Sequence, residues 1–439
     1  MTPGARLQAA IELIEQIAGT QTPADRLVGN YFRSRRYAGS KDRRAVTDMV
    51  YDVLRRRGEY AWRAGGTDSR RLLLAHLTAP DNADNADNAD NANMDDVAGL
   101  FDGTQYGPAN LDGEEQATLS RLTQAENDKA PAWVGNNYPE WLDQSLTRRF
   151  GSNLDGEMAA MMGRASVDLR INALKSNAGE VAASLGAEDI STTPGAFAPN
   201  ALRLDGRRSL ANHPLYQNGT IEVQDEGSQL VALLCAAQPG QQVVDYCAGA
   251  GGKSLALAAQ MDNKGQIFAF DSNPRRMRPL RERLQRAGVR NIQTHALADP
   301  AAAATLADLD GKADRVLLDV PCSGSGAWRR NPESKWRLTA GQLAQYGLTQ
   351  GEILRRSAPL VKPGGRLIYA TCSILMEENE DQIDGFLSAH PEFEILPADA
   401  VWRQVLEGPC PFDGPYLRLT PAQHGTDGFF LAVLVRKQS

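Results

Sequence analysis

The chain is poor in cysteine, with five cysteines among 439 residues. So few cysteines cannot form the disulfide framework that stabilises many small secreted proteins. None belongs to a Cys-x-x-Cys pair, and no His/Cys cluster has the spacing of metal ligands. We therefore expect a protein without disulfides and without a metal site.

Long apolar runs are also lacking. No stretch approaches the roughly 18 consecutive apolar residues that a membrane helix needs. The first residues already include Arg6, Glu12 and Glu15, so the apolar core of a signal peptide does not fit there. These absences predict a cytoplasmic protein with no membrane partner.

Positive charge is in deficit over the chain as a whole, with a net charge of -7. The deficit is local, because residues 1–77 carry 14 Lys and Arg against 8 Asp and Glu, whereas residues 78–128 carry 1 against 12. A short acidic stretch therefore hides a basic amino-terminal region. Net charge by itself excludes neither RNA nor DNA as a partner.

The amino-terminal region has apolar residues at helical spacing, such as Leu7, Ile11 and Ile14, and we predict that it is all-helical. Arginines alternate with aromatic residues between positions 31 and 37, a pattern that suits phosphate contact and base stacking. A solvated basic helix face is the alternative. The basic residues at the centre of this pattern are Arg33, Arg35 and Arg36.

Three domains are predicted along the chain. Residues 1–135 form the helical domain, interrupted at 80–96 by a disordered insertion that repeats Asp-Asn-Ala four times. Residues 136–228 form a small α/β unit, with strands predicted at 167–171, 201–204 and 220–223 and a helix at 178–185. Strands and helices alternate regularly in residues 229–439, which predicts a Rossmann-like, parallel doubly wound sheet.

A glycine-rich turn follows the first strand of the third domain, where a backbone can approach a ligand at a helix amino terminus. The dinucleotide pattern GxGxxG needs glycine where Ser254 stands, and the phosphate-binding loop needs glycine where Cys247 stands, so neither fits. The turn and the residue after it are Cys247, Ala248, Gly249, Ala250, Gly251, Gly252 and Lys253.

Two aspartates follow the next strands. Asp271 ends the second strand, where a carboxylate can accept hydrogen bonds from a ribose diol. With the glycine-rich turn, this arrangement suits S-adenosylmethionine (SAM) as well as a dinucleotide. Asp299 either faces an adenine edge or belongs to an ordinary surface turn.

Two cysteines lie just past later strands of the predicted parallel sheet. Cys322 follows Asp319-Val320-Pro321, and Cys372 follows Thr371. Open α/β sheets bind ligands at the carboxyl ends of their strands. A buried cysteine is usually a small core residue, but two cysteines so placed favour a functional site.

These motifs resemble the RsmB/NSUN (Fmu/Sun) family of SAM-dependent RNA cytosine-5 methyltransferases. The resemblance covers residues 135–437 and includes Arg170–Lys175, Val223–Ser228 and Thr426–Phe430. The family usually has proline where Ala250 stands, a departure that leaves the cofactor expectation intact. The helical region resembles, more weakly, the NusB-like RNA-binding domain of the bacterial rRNA-modifying branch.

The resemblance implies an enzyme that methylates RNA, with 16S ribosomal RNA as the expected substrate. We expect the protein to be a monomer. Cys372 is then the nucleophile that adds to cytosine C6, and Cys322 assists release. Asp319 in its acid form donates to cytosine N3, which needs burial and a raised pKa. Lys253 contacts SAM or the substrate. The first two domains bind RNA.

Two alternatives stay open at this stage. A tRNA methyltransferase has the same motifs, and a non-catalytic ribosome-assembly factor has the same fold but no need of both cysteines. Aromatic and basic residues after Cys322 are expected at the mouth of the site, beside an extruded base, unless they form an ordinary charged loop. They are Trp328, Arg329, Arg330, Lys335 and Trp336.

Overall fold

The computed structural model describes residues 1–80, 94–124, 130–206 and 208–438. Most of the predicted insertion, residues 81–93, lies outside these ranges, while its last residues belong to a helix that begins at Met94. The chain forms two compact units: residues 1–163 with 328–338, and residues 164–327 with 339–439. The domain boundaries near 135 and 228 stay predictions.

The regular elements within the described ranges are numbered in chain order. The helices are α1 (Pro3–Ala18), α2 (Ala24–Ser34), α3 (Ser40–Arg55), α4 (Arg57–Ala64), α5 (Ser69–Leu77), α6 (Met94–Gly99), α7 (Gly113–Gln124), α8 (Ala132–Gly135), α9 (Asp143–Phe150), α10 (Leu154–Met162), α11 (Ala178–Gly186), α12 (Pro214–Gln217), α13 (Glu226–Leu233), α14 (Gly252–Gln260), α15 (Pro274–Met277), α16 (Leu280–Ala287), α17 (Pro300–Asp308), α18 (Pro332–Arg337), α19 (Ala340–Ser357), α20 (Glu380–Ala389), α21 (Ala398–Val405) and α22 (Pro421–His424). The strands are β1 (Asp168–Ile171), β2 (Thr192–Pro194), β3 (Ala201–Leu204), β4 (Ile221–Val223), β5 (Gln242–Asp245), β6 (Gln266–Asp271), β7 (Ile292–Ala296), β8 (Ala313–Asp319), β9 (Val361–Thr371), β10 (Phe393–Leu396), β11 (Leu417–Leu419) and β12 (Phe429–Arg436). In this described part of the chain, no helix is long and apolar enough to cross a lipid bilayer.

The first unit is built from helices, as the apolar spacing predicts. Helix α1 begins at a proline, and the Thr2 hydroxyl caps it by accepting the Ala5 N–H over 3.2 Å. Its apolar stripe, which includes Leu7 and Ile14, is buried. Burying one such side chain contributes about 1.5–3 kcal/mol, so the apolar faces of the helices supply the core of this unit.

A short segment from the middle of the chain, residues 328–338, completes the first unit. The Trp336 indole donates to the Leu54 carbonyl oxygen over 2.7 Å. The Glu333 carboxylate accepts the backbone N–H of Ala24 over 2.9 Å, at the amino end of α2, where negative charge is favoured. The side chains of Trp328, Arg329 and Lys335 are buried, and the expectation that this segment lies at the mouth of the site stays a prediction.

The second unit contains a small antiparallel sheet with strand order β2-β3-β1-β4. Three of its strands and helix α11 match the predicted elements closely. Strand β2 has no counterpart among the predictions, because it is a three-residue, mostly exposed edge strand that ends in Pro194. A segment of that length and composition carries no strand pattern.

The second unit also contains the predicted Rossmann-like sheet, with strand order β10-β12-β9-β8-β5-β6-β7. Strands β9, β8, β5, β6 and β7 run parallel to one another, whereas β12 is antiparallel to both of its neighbours in this order, β9 and β10. Strand β11 pairs with β12. The carboxyl ends of β5, β6, β8 and β9 therefore lie at one edge of the sheet, where ligands bind in open α/β folds.

We predict that Lys335 makes the stability of the protein pH-dependent. Its ammonium group lies 3.5 Å from the Arg55 carbonyl oxygen. Burial, reinforced by the charge of Arg55, lowers the pKa of Lys335 from 10.5 to about 7. Between these two values the unfolded chain binds more protons than the folded chain, so the free energy of unfolding rises with pH across that window.

We expect Lys335→Met to flatten this rise and to increase stability at pH 7 by about 1–4 kcal/mol, because the variant no longer buries a charge. Urea unfolding followed by tryptophan fluorescence between pH 6 and 10 measures the effect. The control is Lys264→Met, which changes an exposed lysine. Parallel pH profiles for wild type and Lys335→Met contradict the prediction.

Candidate active site

The glycine-rich turn lies between β5 and α14, at the carboxyl edge of the large sheet. Gly249 and Gly251 have positive φ angles of 54° and 78°, a conformation that favours glycine. A methyl group on Gly251 would lie only 2.1 Å from Leu280 Cδ1. Both positions therefore favour glycine, and the turn leads directly into the start of α14.

Asp271 connects this turn to the end of β6. Its carboxylate accepts the backbone N–H of Gly249 over 2.8 Å and that of Asn273 over 2.7 Å. The Arg276 guanidinium lies 3.7 Å away. The residue is almost fully buried. A carboxylate oxygen has two lone pairs, so Asp271 can accept ligand hydroxyl groups in addition to these donors.

Asp245, at the end of β5, is a site residue that the sequence reading did not select. The Ser254 hydroxyl donates to one of its carboxylate oxygens over 2.6 Å. The other oxygen is buried and has no hydrogen-bond partner among the described residues. Burial raises the pKa of Asp245 to about 7. The sequence feature that could have identified Asp245 as a site residue is its position between the apolar strand and the glycine-rich turn.

Lys253 and Asp319 form an ion pair, with 2.6 Å between Nζ and Oδ2. Burial alone lowers the pKa of Lys253, but the charge and the hydrogen bond of Asp319 outweigh it, and the pKa is raised. The negative charge of Cys372 acts in the same direction. Lys253 is therefore a buried cation between a carboxylate and a cysteine.

Cys322 and Cys372 lie side by side, with 3.4 Å between their sulfur atoms. The loops that carry them are also joined by a backbone hydrogen bond of 2.9 Å from Gly326 N–H to the Cys372 carbonyl oxygen. The hydrogen bond with Cys372 and burial raise the pKa of the Cys322 thiol well above its ordinary value. The Cys322 thiol therefore ionises less readily than an ordinary cysteine.

The remaining residues of the turn have structural contacts. The Ala248 N–H donates to the Phe270 carbonyl oxygen over 2.8 Å, and the Ala250 carbonyl oxygen accepts from Arg283 over 2.6 Å. Cys247 packs against the core of the sheet, and burial raises the pKa of its thiol. These contacts fix the shape of the turn.

Asp299 lies just past β7 and is exposed. Its carboxylate accepts the Ala301 N–H over 3.0 Å and caps helix α17. This contact is the surface-turn role considered from the sequence, and the adenine contact stays a prediction.

The edge of the sheet fits SAM. A sulfonium cofactor carries positive charge, and three strand ends place the carboxylates of Asp245, Asp271 and Asp319 here. Asp245 has a buried oxygen that lacks a partner in the described structure, and Asp271 has the position of a ribose acceptor. Nowhere in the described ranges do three or more His, Cys, Asp or Glu side chains group to hold a metal ion.

Two family models match the chain. The one described as 16S rRNA methyltransferase RsmB/F matches residues 232–435, which include the large sheet and all of the predicted site residues. The one described as a Methyltr_RsmF/B-like, ferredoxin-like domain matches residues 138–211. The second match contains strands β1 to β3 of the small sheet.

The chain is similar to two bacterial proteins named "Probable ribosomal RNA small subunit methyltransferase B". The protein from Synechocystis sp. is 32% identical over 422 residues, which cover 90% of this chain and 91% of the relative. The protein from Bacillus subtilis is 33% identical over 304 residues, which cover 69% of this chain and 67% of the relative.

The fold is similar to the crystal structure of PH0851, with a TM-score of 0.77 and 27% identity over 99% of both chains. The range that the RsmB/F family model matches includes the glycine-rich turn and the two cysteine loops. The chain belongs to the RsmB/F family of ribosomal RNA small subunit methyltransferases, which are SAM-dependent RNA methyltransferases.

Proposed function

We propose that this enzyme methylates carbon 5 of a cytosine in small-subunit ribosomal RNA through a covalent cysteine adduct. The observation that carries the proposal is the 3.4 Å separation of the two sulfur atoms. Methyl transfer to a ring nitrogen or a hydroxyl needs no thiol, whereas activation of a carbon atom needs a nucleophile. The names of the relatives from Synechocystis and Bacillus subtilis support ribosomal RNA as the substrate.

The cofactor site comprises the turn at 247–252 and the carboxylates around it. Asp271 accepts the ribose hydroxyl groups, Asp299 lies toward the adenine, and Lys253 and Asp319 close the site on the side of the cysteines. When bound, SAM supplies the methyl group. The protein residues orient the reacting groups and move protons.

Cys372 is the nucleophile in this proposal. Its thiolate adds to cytosine C6, a C6–S bond forms, and the electron pair of the ring moves toward N3 and C5. The ammonium group of Lys253 stabilises the thiolate, since the attraction between Lys253 and Cys372 is one of the causes that raise the lysine pKa. The raised pKa of Cys322 leaves its thiol as a hydrogen-bond donor to that thiolate.

Asp319 and Lys253 supply the proton that N3 needs when the adduct forms. The expectation of a buried, protonated Asp319 requires revision, because this side chain is 31% exposed and is paired with Lys253 over 2.6 Å. The carboxylate of Asp319 raises the pKa of Lys253, which favours the ammonium form of the lysine. We therefore assign the proton to Lys253, from which it passes through Asp319 to N3 as negative charge develops there.

Release reverses the addition. The proton on C5 passes to water, its electron pair restores the C5–C6 double bond, the C6–S bond to Cys372 breaks with its electron pair on sulfur, and N3 returns its proton to Asp319. Cys322 lies beside Cys372 and is assigned to this elimination step. The two cysteines therefore act at different stages of one reaction.

Asp271→Ala is expected to weaken SAM binding by about 1.5–3 kcal/mol, the typical contribution of hydrogen bonds to a charged group. Isothermal titration calorimetry measures the affinity. The control is Asp262→Ala, which changes an exposed aspartate of the same unit. Unchanged affinity in Asp271→Ala removes the ribose assignment.

The basic surface of the first unit is expected to bind RNA through exposed side chains, which include Arg33, Arg36 and Lys41. Arg35 differs from them, because its guanidinium lies 3.7 Å from the centre of the Tyr31 ring and 3.3 Å from Glu12. Exchanging Arg33 and Arg36 for alanine should weaken RNA binding. The slope of log affinity against log salt concentration should fall by the amount expected for the loss of about 1–2 phosphate contacts.

Arg35→Ala is the control for that double variant. It also removes a positive charge, but from an arginine that already contacts Glu12 and Tyr31 within the protein. Filter binding at several salt concentrations measures the slopes, and SAM affinity should not change. Equal slopes for wild type and the Arg33/Arg36 variant would show that this surface is only solvated.

Substitution of the two cysteines is expected to give different failures. Cys372→Ala forms no adduct and should be inactive, whereas Cys322→Ala should methylate once and stay bonded to its RNA because elimination stalls. A denaturing gel detects the slow-migrating complex, and bisulfite sequencing reads the methylated cytosine in ribosomal RNA or tRNA. A complex with Cys372→Ala alone reverses the roles, and full activity of both variants contradicts the covalent mechanism.

A further inference from the structure

A buried carboxylate outside the cofactor site joins the two cysteine loops. Glu378 has no exposed surface and lies at the end of a short helical turn, Met376–Glu378, just after the Cys372 loop. Four donors converge on its side chain. They are Ser323 N (2.8 Å) and Gln350 Nε2 (3.1 Å) at Oε1, and Ser323 Oγ (2.5 Å) and Ser373 Oγ (2.5 Å) at Oε2.

The donors stand next to the cysteines in sequence. Ser323 follows Cys322 directly, and Ser373 follows Cys372 directly. Gln350, on α19, also donates to the Pro321 carbonyl oxygen over 3.0 Å, so the backbone is held on both sides of Cys322. One carboxylate thus fixes the segments that set the distance between the two sulfur atoms.

The partners of Glu378 are all neutral. Within the described part of the chain, no lysine or arginine forms an ion pair with it, in contrast to Asp319. Burying a charge is costly unless it is paired or well hydrogen-bonded. Four hydrogen bonds offset this cost for Glu378, and an apolar side chain would leave the four donors without an acceptor.

The negative charge of Glu378 acts on the Cys322 thiol. After the hydrogen bond with Cys372, burial and the charge of Cys372, the negative charge of Glu378 is a further cause that raises the pKa of Cys322. Cys372 interacts with a cation, because its negative charge is one of the causes that raise the pKa of Lys253. The two sulfur atoms thus have different charged groups acting on them although they lie 3.4 Å apart.

We propose that Glu378 is a positioning residue that holds the two cysteine loops together and places a negative charge next to the Cys322 loop, where it opposes the formation of a second thiolate beside Cys372. The inference rests on the two-cysteine mechanism proposed above. Glu378 acts through the serines and the field it imposes on Cys322, without contact to RNA or SAM.

The test compares wild type with Glu378→Gln, which keeps the shape of the side chain and removes its charge. Alkylation of each cysteine by iodoacetamide across pH, read by mass spectrometry without RNA or SAM, reports thiolate formation. We expect the midpoint for Cys322 to fall by about 1 pH unit or more. We also expect kcat to fall roughly 100-fold, the effect of a small misplacement of reacting groups, with unchanged SAM affinity.

The matched control is Glu380→Gln, which changes a buried carboxylate two residues away that pairs with Arg418. Equal Cys322 midpoints in wild type and Glu378→Gln, or an equal fall in Glu380→Gln, overturn the electrostatic part of the proposal. The alkylation midpoint needs no RNA, so its result is separate from a failure of the covalent mechanism, which the cysteine variants report.

A double variant, Ser323→Ala with Ser373→Ala, tests the positioning part and replaces Glu378→Gln if that variant does not fold. It removes the hydroxyl donors and keeps the carboxylate. We expect kcat to fall while the Cys322 midpoint stays at or above the wild-type value, because the charge is still present. An unchanged kcat overturns the positioning role.

Discussion

The site depends on one ion pair between a buried lysine and a partly exposed aspartate. Lys253 stands at the start of α14, directly after the glycine-rich turn, and Asp319 ends β8, three residues before Cys322. A buried lysine without a partner loses its charge, and here the carboxylate at 2.6 Å restores it. Removing Asp319 would leave the buried ammonium group without its partner, which is unfavourable. The pair therefore gives the turn and the Cys322 loop a single relative placement.

The parallel sheet concentrates negative charge at the same edge. Asp245, Asp271 and Asp319 end three neighbouring strands, and the charges of the other two act with burial to raise the pKa of Asp245. Carboxylates placed this close destabilise one another unless a cation lies among them. Lys253 supplies one positive charge, and the sulfonium of the cofactor is a second. The fold thus carries a charge pattern that a cationic ligand completes.

The two cysteines become unequal through their surroundings. Both lie in loops at strand ends and both are partly buried, so their own chemistry does not distinguish them. Lys253 interacts with Cys372, while Glu378 and the Cys372 sulfur act against ionisation of Cys322. Groups whose environments separate their proton affinities can serve as acid and base at one pH. This separation is the physical basis on which the proposed division of roles rests.

The sequence by itself determined the parallel sheet, the glycine-rich turn and the strand ends that carry Asp271, Asp319 and Cys372, because these features depend on local periodicity and on residue types with special backbone preferences. Only the tertiary structure decided which distant side chains are paired. It brought Glu378 to Ser323, 55 residues apart in the chain, and it placed residues 328–338 in the helical unit. Such contacts come from packing and from the pairing of buried polar groups, and neither has a signature within a short window of sequence.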